Sequence, residues 1–175
     1  MTLGDLNEKV KKSAYSIVPK GKGVNLMIDK NYILGLVDGE ESFNVRINPN
    51  KKRRAKVETR FCLKLRHQDK EILYELQNFF GCGNVYIQKD KRENHSLCYR
   101  FEVQNKNEIV KKIIPFFEEN SPIIESRKRD FEFFKEIVRL SFIEPIDFEK
   151  IQELKSQMHW GSLSTGKPFA KWGTK

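Results

Sequence analysis

The sequence predicts an α+β domain in which a four-stranded antiparallel sheet carries helices on one face only. Two pairs of segments alternate apolar and polar residues, and a charged turn separates the members of each pair, as in β-hairpins. Segments with helical periodicity precede each hairpin and follow the second one. The predicted element order is therefore αββαββα, with further helices appended.

The first helix carries the most unusual pattern. Asp29 is its predicted N-cap, and the helix runs from there to about Gly39. Its apolar stretch, YILGLV at positions 32–37, is followed directly by DGEE at positions 38–41. An apolar helix is normally buried, so three carboxylates directly at its end are unexpected and indicate a functional role.

The first hairpin has one apolar face and one basic face. The apolar face contains Phe43, Val45, Ile47, Thr59, Phe61, Leu63 and Leu65. The opposite face contains Ser42, Asn44, Arg46, Asn48, Glu58, Arg60, Cys62, Lys64 and Arg66. The connecting loop contains the basic run Lys51, Lys52, Arg53 and Arg54. A solvated sheet face usually mixes its charges, whereas this one leans strongly positive.

A second helix–hairpin unit repeats this arrangement. The helix opens at Asp69 and ends at Gly81, as a C-terminal glycine predicts. Inward positions of the hairpin are Val85, Ile87, Leu97, Tyr99, Phe101 and Val103, and outward positions are Asn84, Tyr86, Gln88, Cys98, Arg100, Glu102 and Gln104. Three helices are predicted beyond it, over residues 107–117 with an interruption at Pro115, 129–142, and 147–158 after a cap at Asp147.

Length and composition favour one intracellular domain with a polyanionic partner. The chain has 175 residues and a formal net charge of +9, which points first to nucleic acid. Its three cysteines form no CxxC pair, and no apolar run reaches the length of a membrane span. No secretory signal is evident. We expect a basic arm over residues 1–28, the domain over 29–158 and a flexible tail over 159–175, with no membrane partner.

Ile33 to Glu41, ILGLVDGEE, resembles the nine-residue signature of LAGLIDADG homing endonucleases. The predicted αββαββα order also matches that family. Four later segments are similar as well: LQNFFGCGNVY, KKIIPFFEENSPI, RKRDFEFFKEIVRL and DFEKIQELKSQM. The resemblance covers roughly residues 26–158. It implies a prokaryotic cytoplasm or an organelle as the compartment, either mitochondrion or chloroplast.

The resemblance implies a site-specific double-strand DNA endonuclease that uses a divalent ion, Mg²⁺. Glu40 is the implied metal-binding acid, joined by the carbonyl of Gly39, while Asp38 has a structural role. Arg127 and Lys128 are the implied basic catalytic residues. Glu41 departs from the family pattern, which has glycine at that position, and this puts the cleavage rate in doubt more than the fold.

Only one signature is found, and single-signature members of the family act as homodimers. The resemblance therefore implies a homodimer on a long, pseudo-palindromic DNA target. Its interface is expected at Leu34, Gly35, Val37 and Asp38. Gly35 and Gly39 lie one helical turn apart, a spacing that lets two helix backbones approach closely.

The outward sheet face and the basic loop are expected to contact DNA. Contacts with base edges in the major groove would recognise the DNA sequence, and contacts with phosphates would add affinity. The expected DNA-binding residues are Ser42, Asn44, Arg46, Asn48, Lys51, Lys52, Arg53, Arg54, Glu58, Arg60, Lys64, Arg66, Tyr86, Gln88 and Arg100. Two alternatives on the same fold stay open: an intron RNA-splicing cofactor, or maturase, with intron RNA as partner, and a regulator that binds DNA without cutting it.

Overall fold

The computed structural model describes residues 15–17, 28–40, 42–48, 56–88 and 97–158. The strands are β1 Tyr15–Ile17, β2 Phe43–Ile47, β3 Val57–Arg66, β4 Asn84–Gln88 and β5 Cys98–Val103. The helices are α1 Lys30–Gly39, α2 Lys70–Phe80, α3 over residues 106–119, α4 Glu125–Leu140 and α5 Phe148–Gln157. None of the helices in these described ranges has the length and apolar character needed to cross a bilayer.

The strands form one antiparallel sheet in the order β1-β4-β5-β3-β2. The predicted four-stranded sheet and the αββαββα order are confirmed. β1 adds a fifth strand at the β4 edge, with Tyr15 opposite Gln88. This strand lies within the predicted basic arm. The rest of that arm, the 51–54 basic run and the 159–175 tail lie outside the described residues.

The inner face of the sheet forms the core with the helices. α2 packs on β3, β4 and β5, and α4 packs on β2 and α5. At the centre, the ring of Phe43 lies 5.2–5.6 Å from the rings of Phe61, Phe117, Phe131 and Phe134. Burial follows the predicted alternation along β3, where Phe61 and Leu63 are buried and Lys64 is exposed.

Three helix ends confirm the predicted capping residues. The Asp29 carboxylate accepts a hydrogen bond from the Tyr32 N–H at 2.8 Å, and Asp147 does the same for Lys150 at 2.9 Å. Gly81 ends α2 in the left-handed region, with φ +59°. Asp69 is different, because it belongs to the 3-10 turn His67–Asp69 and its side chain forms no cap hydrogen bond.

The helix predicted to break at Pro115 continues through it. α3 consists of α-helical Lys106–Glu108, π-helical Ile109–Ile113 and α-helical Ile114–Glu119. Proline cannot donate the backbone hydrogen bond that an α-helix interior requires. Here Pro115 lies at the start of the last segment, where its missing N–H is tolerated, and the wider π turn before it carries the chain onward.

Candidate functional site

The candidate site begins at the C-terminal end of α1, here called the acidic foot and formed by Asp38, Gly39 and Glu40. Glu40 leaves the helix in an extended conformation, and its N–H donates to the Val37 carbonyl at 3.4 Å. Its side chain is exposed. The C-terminal end of a helix carries partial negative charge, and the last turn of α1 contains no basic residue. The acidic foot therefore favours a cation.

The Asp38 side chain has a structural role. Its two carboxylate oxygens accept hydrogen bonds from the backbone N–H groups of Ile123 and Ile124, both at 3.2 Å. Ile124 is the N-cap of α4 and supplies no side-chain cap of its own. Asp38 therefore caps α4 from a distant part of the chain, and Glu40 keeps its carboxylate available at the surface.

Arg127 lies at the acidic foot. Its Nε donates to the Asp38 carbonyl oxygen at 3.4 Å, and its Nη1 lies 3.6 Å from the carboxylate of buried Asp130. Lys128 has a different environment, with its ammonium 3.8 Å from the exposed carboxylate of Glu125. Of the two expected basic residues, the structure brings Arg127 into contact with the foot.

The donors at the foot fit Mg²⁺ only if further ligands complete the site. Within the described ranges, no cluster of three or more His, Cys, Asp or Glu side chains could hold a metal by itself. Glu40 and the Gly39 carbonyl offer hard oxygen atoms, which Mg²⁺ prefers, and this ion is usually bound by one or two carboxylates together with waters and phosphates. The thiol of Cys62 on β3 is a soft ligand that Mg²⁺ does not prefer, and burial raises its pKa to about 11.

The expected DNA-binding residues on the outer face of the sheet differ in their exposure to solvent. Arg46, Lys64 and Arg66 are exposed, whereas Asn44, Glu58, Arg60, Tyr86, Gln88 and Arg100 are partly buried. Ser42 and Asn48 of the expected DNA-binding set are buried. The Ser42 hydroxyl donates to the Glu40 carbonyl at 3.4 Å, and the Asn48 amide donates to Glu58 at 2.7 Å. DNA contact by these two side chains stays a prediction.

Glu102 has a role that the alternation of residues does not predict. Alternation placed it on the outer face, yet it is 1% exposed, because it lies at the centre of the sheet among longer side chains. It pairs with Arg100 at 2.5 Å and Arg60 at 3.8 Å, and Gln104 donates a hydrogen bond to it. An acidic residue among basic ones on this face is the sequence feature that could have predicted the ion pairs.

The surface of α1 differs from the expected interface. Val37 is fully buried and Leu34 nearly so, so these two residues pack in the core of this chain. Their expected contact with a second copy stays a prediction. The exposed side of α1 contains Tyr32, Gly35 and Gly39. A Cβ placed on either glycine would meet no described atom within 4 Å. Tyr32 is large, so the small-residue surface of α1 is limited to Gly35 and Gly39, beside the acidic foot.

Comparison with known proteins gives consistent matches. Residues 33–138 match the family described as LAGLIDADG endonuclease. The probable intron-encoded DNA endonuclease 1 of Mycosarcoma maydis is 31% identical over 104 residues, which cover 59% of this chain and 35% of that protein.

Two solved structures have similar folds. I-SmaMI, bound to an uncleaved DNA target in the presence of calcium ions, gives a TM-score of 0.64 at 27% identity and covers 75% of this chain and 45% of its own. The homing endonuclease I-TnaI gives 0.59 at 25% identity, covering 78% and 91%. The chain thus spans about a third of the curated relative and about half of the I-SmaMI chain. Since the family match covers more than half of its residues, the chain belongs to the LAGLIDADG endonuclease family.

Proposed function

We propose that two copies of this chain form a homodimer that cuts both strands of a long, roughly palindromic DNA target in the presence of Mg²⁺. The observation that carries the proposal is the exposed Glu40 carboxylate at the end of α1, next to a small-residue helix surface and a basic sheet face. The matched family and relatives named as DNA endonucleases support DNA cleavage as the activity.

The case for a second copy rests on Gly35 and Gly39. Each glycine costs about 1 kcal/mol of helix propensity relative to alanine. The described part of this chain does not require their small size, because a Cβ at either position would meet open space. A second α1 packed against this surface would require it, since small residues let helix backbones approach closely. Two-fold symmetry would then bring the two Glu40 side chains together.

The chemistry follows from the residues at the acidic foot. Glu40 and the Gly39 carbonyl would hold the divalent ion beside a phosphate, and Arg127 would stabilise negative charge there. A bound divalent ion supplies Lewis-acid catalysis and a more acidic water. Asp38 keeps α4, and with it Arg127, against α1. No histidine or serine nucleophile is needed.

DNA would lie against the outer face of the sheet. The exposed cations Arg46, Lys64 and Arg66 suit phosphate contacts, and the amides of Asn44 and Gln88 suit base edges. The I-SmaMI structure was solved with a DNA target, which supports DNA as the partner by similarity. Phosphate contacts by the basic loop at 51–54 stay a prediction.

The decisive experiment replaces Glu40 by glutamine. Glu40→Gln keeps the size of the side chain and removes the charge that would hold the ion. Cleavage should fall by more than about 100-fold, since loss of even an outer partner of a metal ligand costs about 10–100-fold, while gel-shift binding persists. Glu41→Gln is the matched control and should have the smaller effect.

Four outcomes would change the proposal. Cutting by Glu40→Gln but not by Glu41→Gln would move the metal ligand to Glu41. Cutting by both variants would remove the metal site from the acidic foot. Binding by the wild type without Mg²⁺-dependent cutting of any target selected from a randomised library would favour the regulator, and rescue of intron splicing would favour the maturase.

A further inference from the structure

Glu102 occupies the most enclosed position on the otherwise basic outer face of the sheet. In the sheet register it lies opposite Cys62 on β3 and Asn84 on β4. Its side chain has no exposed surface, whereas those of Arg60 and Arg100 keep 23% and 13% exposure. A carboxylate is enclosed at such cost only when it is paired and hydrogen-bonded, and Glu102 has both arginines and Gln104 as partners.

A second acid reinforces this arrangement. Glu58 lies 3.4 Å from the Arg60 guanidinium and accepts a hydrogen bond from Asn48 at 2.7 Å. Arg60 therefore lies between two carboxylates, and Arg100 lies against Glu102. By contrast, Lys64 and Arg66 are exposed. The outer face thus has two kinds of cation: exposed ones with full charge, and fixed ones whose charge is largely neutralised.

The fixed cations lie beside the acidic foot. In the sheet register Cys62 lies opposite Glu102, and Asn44, which lies opposite Arg60, donates its amide to the Cys62 sulfur at 3.3 Å. The Cys62 N–H also donates to the Ser42 carbonyl at 2.9 Å, two residues after Glu40. The Glu102 cluster is therefore adjacent to the residue proposed to hold the metal ion.

We propose that Glu102 is a specificity-determining positioning residue, which holds Arg60 and Arg100 for contact with base edges and withholds their charge from non-specific phosphate binding. This inference rests on the proposed function. A guanidinium fixed by carboxylates presents its remaining N–H groups in one direction, as bidentate contact with guanine requires. A mobile, fully charged arginine would instead bind any phosphate and add affinity without discrimination.

The first test is the binding of labelled random-sequence duplex DNA in EDTA, across a range of salt concentrations. Glu102→Gln should bind it several-fold more tightly than the wild type. Its plot of log affinity against log salt should be steeper by about 0.9 for each released cation, as expected for one more phosphate contact. Glu75→Gln on α2, which packs on the inner face, makes the same charge change and should leave the slope unchanged.

The second test is selection from a randomised duplex library, also in EDTA. The Glu102→Gln consensus should lose information at the positions nearest the centre of the target. The double variant Arg100→Gln/Glu102→Gln restores the charge balance, so its salt slope should return to the wild-type value while the consensus stays degraded. If Glu102→Gln alone does not fold, the double variant is measured in its place. It should fold more readily, because both partners of the ion pair are removed together.

The outcomes separate this inference from the proposed function. Wild-type slope and wild-type consensus in Glu102→Gln would reduce Glu102 to a structural residue and overturn the inference while DNA cleavage stands. If the double variant selects the full wild-type consensus, Arg100 does not contact bases, and the inference is overturned for that residue. Failure of the wild type to bind duplex DNA would overturn both.

Discussion

At the scale of single residues, Asp38 and Glu40 lie two positions apart, but it is the Asp38 carboxylate that accepts hydrogen bonds from the N–H groups of Ile123 and Ile124, at the start of α4. Asp38→Ala should therefore lower the free energy of unfolding by about 0.5–2 kcal/mol, the usual cost of losing a helix cap. Urea unfolding measures this. Glu40→Gln is the control and should stay within about 0.5 kcal/mol of the wild type, because it changes an exposed side chain. Equal losses in both variants would contradict the division of roles.

Adjacent residues of β3 should separate folding from binding. Leu63 is 1% exposed on the inner face, and Lys64 is exposed on the outer face. Leu63→Ala should cost about 2–5 kcal/mol of stability. Lys64→Ala should leave the melting temperature almost unchanged but weaken DNA binding and reduce the salt slope by about 0.9 for each chain. Thermal melts and salt titrations measured in parallel would expose a reversed register as reversed outcomes.

At the scale of elements, a side chain added at Gly35 and one added at Gly83 should have opposite effects on the stability of this chain. A Cβ at Gly35 meets open space, so Gly35→Leu should leave the protomer folded and improve helix propensity by about 1 kcal/mol. It should nevertheless prevent self-association and cutting, because the added side chain would separate two facing α1 helices. Sedimentation and circular dichroism test this, with Asn78→Leu on the exposed side of α2 as the control. A Gly35→Leu protein that stays dimeric would remove α1 from the interface.

Gly83 lies before β4 in a conformation that only glycine adopts readily, with φ +74°. A Cβ there would lie 2.8 Å from the Glu102 carbonyl oxygen, the Phe101 ring and the Val103 side chain. Gly83→Ala should therefore lower stability by at least about 1–3 kcal/mol, the range expected for backbone strain alone. A denaturation midpoint equal to that of the wild type would show that β4 can shift away from β5 at little cost.

At the scale of the whole molecule, the proposal requires two copies for one cutting event. The wild-type chain should sediment as a dimer, and its cutting rate should fall more steeply than in proportion to concentration on dilution. Fusing two copies through a flexible linker should restore the rate at low concentration, because the linker raises the effective concentration of the second copy. A wild-type monomer with full activity at low concentration would contradict the homodimer.

The sequence by itself determined four of the five described strands, the two faces of their sheet and the place of Asp38, Gly39 and Glu40 at the end of a helix. Period-two alternation predicts these faces because successive side chains of a strand point to opposite sides. The capping residues Asp29 and Asp147 were also readable, because each cap acts within its own helical turn. The signature at 33–41 predicted the family, which the match over 33–138 shows.

Tertiary structure decided which side chains remain available. Alternation gives a side chain's direction but not its neighbours, so Glu102 was placed on the correct face without its burial or its arginine partners. The same limit applies to Val37, whose helix pattern left open which side meets the core, and to Asp38, whose partners at Ile123 and Ile124 are distant in sequence. Contacts between residues far apart in the chain depend on how the elements pack, and that packing exists only in the folded molecule.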